Sequence, residues 1–292
     1  MPVDLITVPY DTARGGKRMG AGPEHFLEHG AAKRLRAVAG RVRETAVRAD
    51  RHFPAEIHTA FELARGIAVA VRAARGHDAL PLVLAGNCMA SLGVLGGVGT
   101  EGLGIVWLDA HGDLHTPETT TSGMLDGMAL ATATGRCWTT LAATVDGFAP
   151  VPDDQVVLVG GNALDAAELR LLEGSSMLHA SPAQVRGHEP GKPLAELLDA
   201  LAGRVRRVYL HVDLDVHDPS AGRANEFWAP AGLTADEVRG VVREVAARIP
   251  IAAAAITAYD PELDADGRML ETGLVLMETI AELAATPDPS SC

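Results

Sequence analysis

Cysteine is scarce in this chain of 292 residues, which contains only Cys88, Cys137 and Cys292. A small, odd number of cysteines cannot supply the disulfide framework on which small secreted domains depend. The first residues, MPVDLITVPYD, enter a strand-like pattern directly and do not resemble a signal peptide. We therefore expect a cytoplasmic protein in a reducing environment.

Positive charge is also scarce, because 25 lysine and arginine residues are opposed by 38 aspartate and glutamate residues, a net charge of −13. Nucleic acids and anionic membrane surfaces bind basic faces, so this balance argues against both as partners. Apolar runs long enough to span a bilayer are missing as well. The composition, 47% hydrophobic and 22% charged residues, is that of a globular protein.

The chain has the alternating pattern of an α/β protein, in which short apolar runs are separated by stretches with apolar residues at helical spacing. Strands are predicted at residues 3–8, 43–47, 80–85, 103–108, 155–159, 177–179, 208–212 and 251–256. Helices are predicted from residue 22 and over residues 54–75, 166–172, 194–201, 235–248 and 269–283. Strands separated by helices of this length form βαβ units and a parallel sheet.

The predicted fold is a single doubly wound α/β domain over residues 1–285, followed by a short flexible tail at 286–292. A linker rich in glycine, serine or proline would indicate a second domain, and the sequence has none. In a doubly wound sheet, ligands bind beyond the carboxyl ends of the strands. Residues that follow predicted strands are therefore the first candidates for a functional site.

Two acidic motifs follow predicted strands, Asp109-Ala-His111-Gly-Asp113 and Asp213-Leu-Asp215. Alternate residues of an extended chain lie on one side, so each motif would point its side chains in one direction. One Asp-x-Asp alone is weak evidence of a metal site. Four carboxylates and an imidazole at one sheet edge would repel one another and are costly to bury unless a divalent metal neutralises them. Five ligands suit two metals that share bridging carboxylates.

These motifs, Asp-Ala-His-x-Asp and Asp-x-Asp-x-x-Asp-Pro, resemble those of the ureohydrolases, the family of arginase, agmatinase and formiminoglutamase. The resemblance covers nearly the whole chain, from the first strand and its Arg-Gly-Gly and Gly-Ala-Gly-Pro loop to the last helix. It implies a three-layer α/β/α fold and two Mn²⁺ per chain, whose bridging hydroxide attacks a guanidine carbon.

The resemblance also implies a role for each residue of the two motifs. Asp109 and Asp213 match ligands that bridge both metals. His111 and Asp215 match ligands of one metal, and Asp113 matches a ligand of the other. Asp215 is further expected to hydrogen-bond the bridging hydroxide.

Three residues match the part of the family's site that binds a substrate amino acid. Ser122 matches a serine that contacts the α-carboxylate, and Asp165 and Glu168 match a pair that holds the α-amino group. Without the resemblance, these residues would be interpreted as surface polar groups, with Glu168 on a solvated helix face. With it, they predict a small-molecule substrate that keeps an amino-acid head, which disfavours agmatine.

The metal-binding histidine of the family's Gly-Gly-Asp-His-Ser segment is replaced by Cys88 in Ala85-Gly86-Asn87-Cys88-Met89. A free cysteine is often an inert buried thiol. Beside a metal and at a helix start, however, its pKa would be lowered, so we interpret Cys88 as a thiolate ligand.

The acid–base and substrate positions also depart from the family's pattern. Asp126 occupies the position of the proton-shuttling histidine, and Ala258 that of the glutamate paired with the guanidinium. His115 and Met124 occupy asparagine positions near the α-carboxylate, and His211 occupies a serine position. The site has thus lost a general acid and a guanidinium partner.

Either the protein no longer turns over substrate, or its substrate has changed. The guanidinium of arginine stays protonated at any ordinary pH. An Nω-hydroxyguanidine is less basic and can enter neutral, so it needs no carboxylate partner. The pattern resembles the hydroxyarginine-cleaving branch of the family, which serves antibiotic biosynthesis and produces L-ornithine and hydroxyurea. The alternatives are an arginase or another ureohydrolase, or a ureohydrolase-like protein that binds without turnover.

The proton donor to the departing ornithine nitrogen is left open between Asp126, His115 and His211. Histidine has the more suitable unperturbed pKa. Family members often form trimers or hexamers, and for this chain we expect a monomer or a homo-oligomer.

Overall fold

The computed structural model describes residues 1–50, 55–188 and 191–284. Its strands are β1 (Val3–Val8), β2 (Tyr10–Asp11), β3 (Arg14–Gly15), β4 (Val42–Ala46), β5 (Leu80–Ala85), β6 (Leu103–Asp109), β7 (Val156–Gly160), β8 (Leu178–Ala180), β9 (Arg207–Asp213) and β10 (Ile251–Thr257). β2 and β3 form a small antiparallel hairpin. The other eight form one sheet in the order β4-β1-β5-β10-β9-β6-β7-β8, and every described pairing in it is parallel.

Helices connect these strands and cover both faces of the sheet. They are α1 (Gly22–Glu28), α2 (Ala31–Ala39), α3 (Glu56–Arg75), α4 (Ser91–Val98), α5 (Ala129–Ala133), α6 (Thr139–Ala142), α7 (Ala166–Glu173), α8 (Pro182–Val185), α9 (Leu194–Ala202), α10 (Ala235–Ala246) and α11 (Arg268–Ala284). One apolar core lies between the sheet and α1, α2, α9, α10 and α11. A second core lies between the opposite face and α3, α4 and α5. The architecture is the three-layer α/β/α sheet that the sequence predicts.

Burial on both faces explains why the central strands are so apolar. Each residue of β5 and of β6 is buried. Parallel strands covered by helices on both sides need such continuous apolar runs, because neither face meets water. The predicted strands match the observed ones to within one or two residues, and β6 and β9 each continue one residue further, to Asp109 and Asp213.

Other predicted boundaries shift by a few residues. α10 is capped by Thr234, as predicted, through a reciprocal pair of hydrogen bonds with Glu237, but it ends at Ala246 rather than Arg248. α3 begins at Glu56, and the predicted start at Pro54 lies outside the described residues. The predicted tail at 286–292, with Cys292, also lies outside them.

The helix α4, which carries the chain away from Cys88, is missing from the sequence prediction. All eight of its residues are buried, so its sequence SLGVLGGV has no polar face and no amphipathic period. Its glycines permit close packing on α3, since a β-carbon at Gly93 would lie 2.5 Å from the carbonyl oxygen of Ala64. Tertiary packing, not local pattern, determines this helix.

Candidate metal centre

Four adjacent strands, β5, β10, β9 and β6, bring the predicted site residues to one edge of the sheet. Cys88 follows β5, Asp213 ends β9, Asp109 ends β6 and Ala258 follows β10. These residues line a cleft of about 250 Å³ at the carboxyl ends of the strands. The cleft lies where ligands are expected in a doubly wound fold.

The two acidic motifs make the same turn where their strands end. Asp109 Oδ1 accepts a hydrogen bond from the backbone N–H of His111 at 2.7 Å. Asp213 Oδ1 likewise accepts from the N–H of Asp215 at 2.9 Å. Aspartate stabilises such turns by bonding the backbone two residues further on. The prediction of extended, same-sided motifs is therefore wrong, and the side chains converge because the chain turns under each strand-terminal aspartate.

Three of these side chains form what we call the carboxylate cluster: Asp109, His111 and Asp215. Their ligand atoms all lie within 4.8 Å of one another. His111 Nδ1 lies 3.4 Å from Asp109 Oδ1 and 3.5 Å from Asp215 Oδ2. Asn225 donates to Asp215 Oδ2 at 3.1 Å and to the carbonyl oxygen of Ala258 at 3.0 Å. Asn225 thus fixes the carboxylate against the end of β10.

Asp113 provides the test of whether a metal fits here. Its Oδ2 is buried and has no hydrogen-bond partner among the described residues. Its backbone holds a positive φ of 50°, a conformation that few residues other than glycine adopt. An unpaired buried carboxylate oxygen is costly unless a cation compensates it. The donor set of carboxylates and an imidazole beside it fits a divalent metal ion.

Burial and mutual repulsion shift the pKa of these carboxyl groups in the metal-free protein. Burial and then the charge of Asp215 raise the pKa of Asp109 to about 6. Burial likewise raises the pKa of Asp113 and of Asp213. Burial disfavours the imidazolium of His111, but its contacts with Asp109 and Asp215 outweigh this and raise its pKa to about 12. These side chains hold protons that a metal would displace.

We predict that the metal-free protein is less stable at pH 7.5 than at pH 6.5. An acid whose pKa is higher in the folded than in the unfolded state stabilises the fold while it stays protonated there. This stabilisation is lost as pH rises from the unfolded-state pKa through the folded-state pKa. Asp126, with a pKa raised to about 7 by burial, and Asp113 and Asp213 all act in this direction. His111, whose raised pKa favours folding most below pH 6.5, does so as well. The expected fall in Tm is a few degrees, measured by scanning calorimetry.

Groups of opposite sign contribute less in this window. Burial lowers the pKa of His25, of His211 to about 3 and of His217 to about 4, so each adds stability as pH rises, but most of that gain is complete by about pH 6.5, the pKa of the unfolded imidazole. Asp113→Asn is expected to flatten the pH dependence of the metal-free protein. A Tm that is unchanged or higher at pH 7.5 contradicts the prediction.

Cys88 lies at the bottom of the cleft with its thiol buried. Its Sγ donates to Asp213 Oδ2 at 3.1 Å and lies 3.3 Å from Thr257 Oγ1. Burial and the surrounding carboxylates raise the pKa of the metal-free thiol. Cys88, Asp109 and His211 form a second set of possible metal ligands, which we call the thiol cluster. Their ligand atoms also lie within 4.8 Å of one another.

The outer cleft contains the residues predicted to bind the amino-acid head. His115 Nε2 lies 3.3 Å from Asp165 Oδ2, and Ser122 is exposed at the cleft wall. Asp165 caps α7, while Glu168 accepts hydrogen bonds from the N–H groups of Leu114 and Asp165. Glu168 is only 4% exposed, so the interpretation as a solvated helix residue is wrong. It joins α7 to the loop that follows Asp113.

Of the three predicted proton donors, two line the cleft and one does not. His115 and Asp126 face it. Asp126 also accepts hydrogen bonds from Asn87 Nδ2 at 2.9 Å and from the N–H of Met89 at 3.2 Å. His211 is fully buried beneath the cleft floor, where it stacks on Trp107. The strand pattern alone does not show that β9 directs this residue under the predicted metal ligands.

Several cleft residues were not predicted from the sequence. Asn225, Phe227 and Met19 line the cleft, and Thr257 and Tyr209 lie beneath it against His211. None belongs to a chemically distinctive motif, so only the tertiary structure shows their positions. Within the described residues, no helix is both long enough and apolar enough to cross a membrane.

The fold and this site define an α/β protein with a carboxylate-rich candidate metal site at the carboxyl edge of its sheet. The Arginase family model matches residues 1–285, and the chain belongs to that family. Arginase-family homologues are metal-dependent hydrolases that act on guanidino C–N bonds of small amino-acid substrates. The predicted ureohydrolase resemblance and enzyme class are thereby confirmed.

Individual relatives agree with this assignment. The chain is 27% identical to an arginase of Bacillus caldovelox over 96% of this chain and 97% of that one. It is 31% identical to an N(omega)-hydroxy-L-arginine amidinohydrolase of Streptomyces lavendulae over 76% and 79%. The solved Bacillus subtilis arginase has a TM-score of 0.86 at 24% identity, covering 98% of this chain and 99% of that one. The predicted three-layer fold is confirmed.

Proposed function

We propose that this chain hydrolyses Nω-hydroxy-L-arginine to L-ornithine and hydroxyurea, using two Mn²⁺ per chain. The observation that carries the proposal is the contrast between the two ends of the cleft. The outer end has polar and charged groups suited to an amino-acid head, including His115, Asp165 and Glu168. At the carboxyl end of β10, the position facing the centre is occupied by Ala258 and offers no carboxylate.

Ala258 matters because arginine carries its positive charge at the reacting group. That guanidinium is protonated at any ordinary pH and benefits from a carboxylate partner. Ala258 is 2% exposed, and Phe227 and Met19 also line this cleft. A neutral hydroxyguanidine can enter without leaving a charge unpaired, whereas an arginine guanidinium loses a partner.

The proposed ligands are Cys88, Asp109, His111, Asp113, Asp213 and Asp215. Metal ions bound there would supply a water of lowered pKa and polarise the guanidine carbon. Asp215, held by His111 and Asn225, is placed to accept a proton from the attacking water. Burial would raise its pKa, but those hydrogen bonds lower it, so the carboxylate is ionised.

The reaction breaks the bond between the hydroxyguanidine carbon and the ornithine side-chain nitrogen. The water oxygen forms the new bond to carbon, which becomes the carbonyl of hydroxyurea. The departing nitrogen takes up one proton, for which His115 and Asp126 are the donors that line the cleft. His115 is held by Asp165, and Ser122 and Glu168 complete the proposed contacts with the amino-acid head.

Product analysis tests the proposal. The full chain, loaded with manganese, is incubated with Nω-hydroxy-L-arginine and, separately, with L-arginine. We expect ornithine and hydroxyurea in equal amounts from the first and little ornithine from the second. Urea released readily from L-arginine would indicate an arginase. Tight binding of both without product would indicate a non-catalytic relative.

Four further features stay predictions. They are a single catalytic domain over residues 1–285, a monomer or homo-oligomer, a cytoplasmic setting and a place in antibiotic biosynthesis.

A further inference from the structure

The thiol cluster differs in the chemistry of its ligand atoms from the carboxylate cluster beside it. Cys88 and Asp109 are 2% and 1% exposed, and His211 is fully buried. Their ligand atoms lie within 4.8 Å of one another. Asp109 belongs to both clusters, so the two sets of ligands adjoin. A sulfur and an imidazole nitrogen therefore converge on one side of the carboxylate cluster.

The ring of His211 is held in one orientation. It stacks on Trp107 with ring centroids 3.6 Å apart and planes 11° apart. Its Nδ1 lies 2.7 Å from the hydroxyl of Tyr209, while Nε2 lies 3.4 Å from Thr257 Oγ1. Burial keeps the imidazole neutral by lowering its pKa to about 3. A hydrogen bond at one nitrogen of a neutral imidazole commonly orients the other toward a metal.

The hydroxyl of Thr257 shows where these atoms meet. It lies 3.4 Å from His211 Nε2, 3.3 Å from Cys88 Sγ and 3.4 Å from Asp213 Oδ2. Cys88 Sγ and Asp213 Oδ2 are themselves 3.1 Å apart. Nitrogen, sulfur and carboxylate oxygen thus surround the Thr257 hydroxyl, and two strands supply them: β9 carries His211 and Asp213, and Cys88 follows β5.

The ligand atoms of the thiol cluster suit a different metal ion from the one that the carboxylate cluster suits. Thiolate and imidazole ligands favour Zn²⁺ and other softer divalent ions, usually with four ligands. Carboxylate-rich ligands favour Mn²⁺ or Mg²⁺. Cys88 and His211 both replace residues that the family resemblance places there, a histidine and a serine, so the two replacements fall in one contact group.

We propose that the centre is chemically asymmetric. The thiol cluster selects Zn²⁺ or Co²⁺ over Mn²⁺, with His211 Nε2 as a direct ligand beside Cys88 and the adjoining aspartates. The carboxylate cluster retains the preference for Mn²⁺. This inference rests on the proposed metal-dependent function and revises its metal content from two Mn²⁺ to one Mn²⁺ and one softer ion.

Cobalt titration of the metal-free full chain tests it directly. The first equivalent of Co²⁺ is expected to give a sulfur-to-cobalt charge-transfer band and the visible bands of four-coordinate cobalt. Cys88→Ser should abolish the charge-transfer band. His211→Ser should retain that band, weaken the visible bands and lower Zn²⁺ affinity by at least about tenfold. Mn²⁺ binding at the carboxylate cluster, measured by electron paramagnetic resonance, should persist in both variants.

Matched controls are available elsewhere in the chain. Cys137→Ser changes a buried thiol outside the site, and His188→Asn changes an exposed histidine. Both should give the wild-type cobalt spectrum. If His211→Ser does not fold, Tyr209→Phe removes the hydroxyl beside Nδ1 at nearly constant volume and should weaken Zn²⁺ binding about tenfold. A wild-type cobalt spectrum and Zn²⁺ affinity in the folded variant overturn the inference.

The test separates this inference from the proposed function. Ornithine release with manganese but no charge-transfer band overturns the inference and leaves the function standing. A charge-transfer band that depends on His211, in a protein that releases no ornithine, overturns the function and supports the inference.

Discussion

Asp109→Asn is expected to remove metal binding from both ligand clusters and to lower ornithine release by at least about 10³-fold, a loss of several kcal/mol in transition-state stabilisation. Asp109 is the residue that the carboxylate cluster and the thiol cluster share. Its Oδ2 accepts from Trp107 Nε1 at 3.0 Å and its Oδ1 from the N–H of His111, so both oxygens are fixed by the protein. The amide cannot supply the negative charge that brings two cations together.

The asparagine variant should nevertheless fold well without metal. It has the same shape, and it removes one charge from a buried cluster in which burial raises the pKa of Asp109 to about 6. The relief of charge offsets the one buried hydrogen bond, from Trp107 or from the N–H of His111, that the amide NH2 cannot accept. We therefore expect a Tm for the metal-free variant within a few degrees of wild type, together with a metal content near zero by mass spectrometry. Asp236→Asn, an exposed aspartate on α10, is the matched control and should leave rate and metal content unchanged. Full metal content in Asp109→Asn contradicts the assignment.

Ala258→Glu is expected to shift substrate preference toward arginine. The new carboxylate would stand at the end of β10, in the cleft beside the metal centre, where it can pair with a guanidinium. A hydrogen bond to a charged group contributes about 1.5–3 kcal/mol, so we expect the ratio of kcat/KM for arginine to that for hydroxyarginine to rise about 10²-fold. Ala258 already adopts φ +63° with a β-carbon, so the longer side chain adds little backbone strain.

Ala258→Gln separates charge from size in this experiment. Glutamine occupies nearly the same volume but cannot neutralise a guanidinium. It should lower the rate with hydroxyarginine by crowding the cleft without improving the rate with arginine. If Gln and Glu shift the ratio equally, the missing charge at Ala258 does not determine substrate choice.

Much of the sheet can be predicted from the sequence, because continuous apolar runs such as those of β5 and β7 have few alternatives to a buried parallel strand. The motifs after β6 and β9 likewise identify the site, since aspartate and histidine seldom follow such strands without a reason. The chain direction beyond those strands cannot be read this way. Asp109 and Asp213 each turn the backbone through their own side chains, and an alternating pattern does not reveal that turn.

The surroundings of the ligands were equally inaccessible from the sequence. His211 is two residues before Asp213, yet it lies beneath the cleft, against Tyr209, Thr257 and Trp107. Asn225 fixes Asp215 from a loop with no recognisable motif. The contacts of His211 with Trp107 and Thr257 join residues far apart in sequence, so they depend on strand order and register.

A competition between the two substrates shows whether this chain prefers the hydroxylated guanidine to arginine. The manganese-loaded full chain receives L-arginine and Nω-hydroxy-L-arginine at equal concentrations, and the urea and hydroxyurea released are counted in the same vessel. Their ratio measures the ratio of kcat/KM, free of differences in enzyme loading. We expect hydroxyurea to exceed urea about 10²-fold, the value expected for one unpaired guanidinium. Urea in equal or greater amount would contradict it.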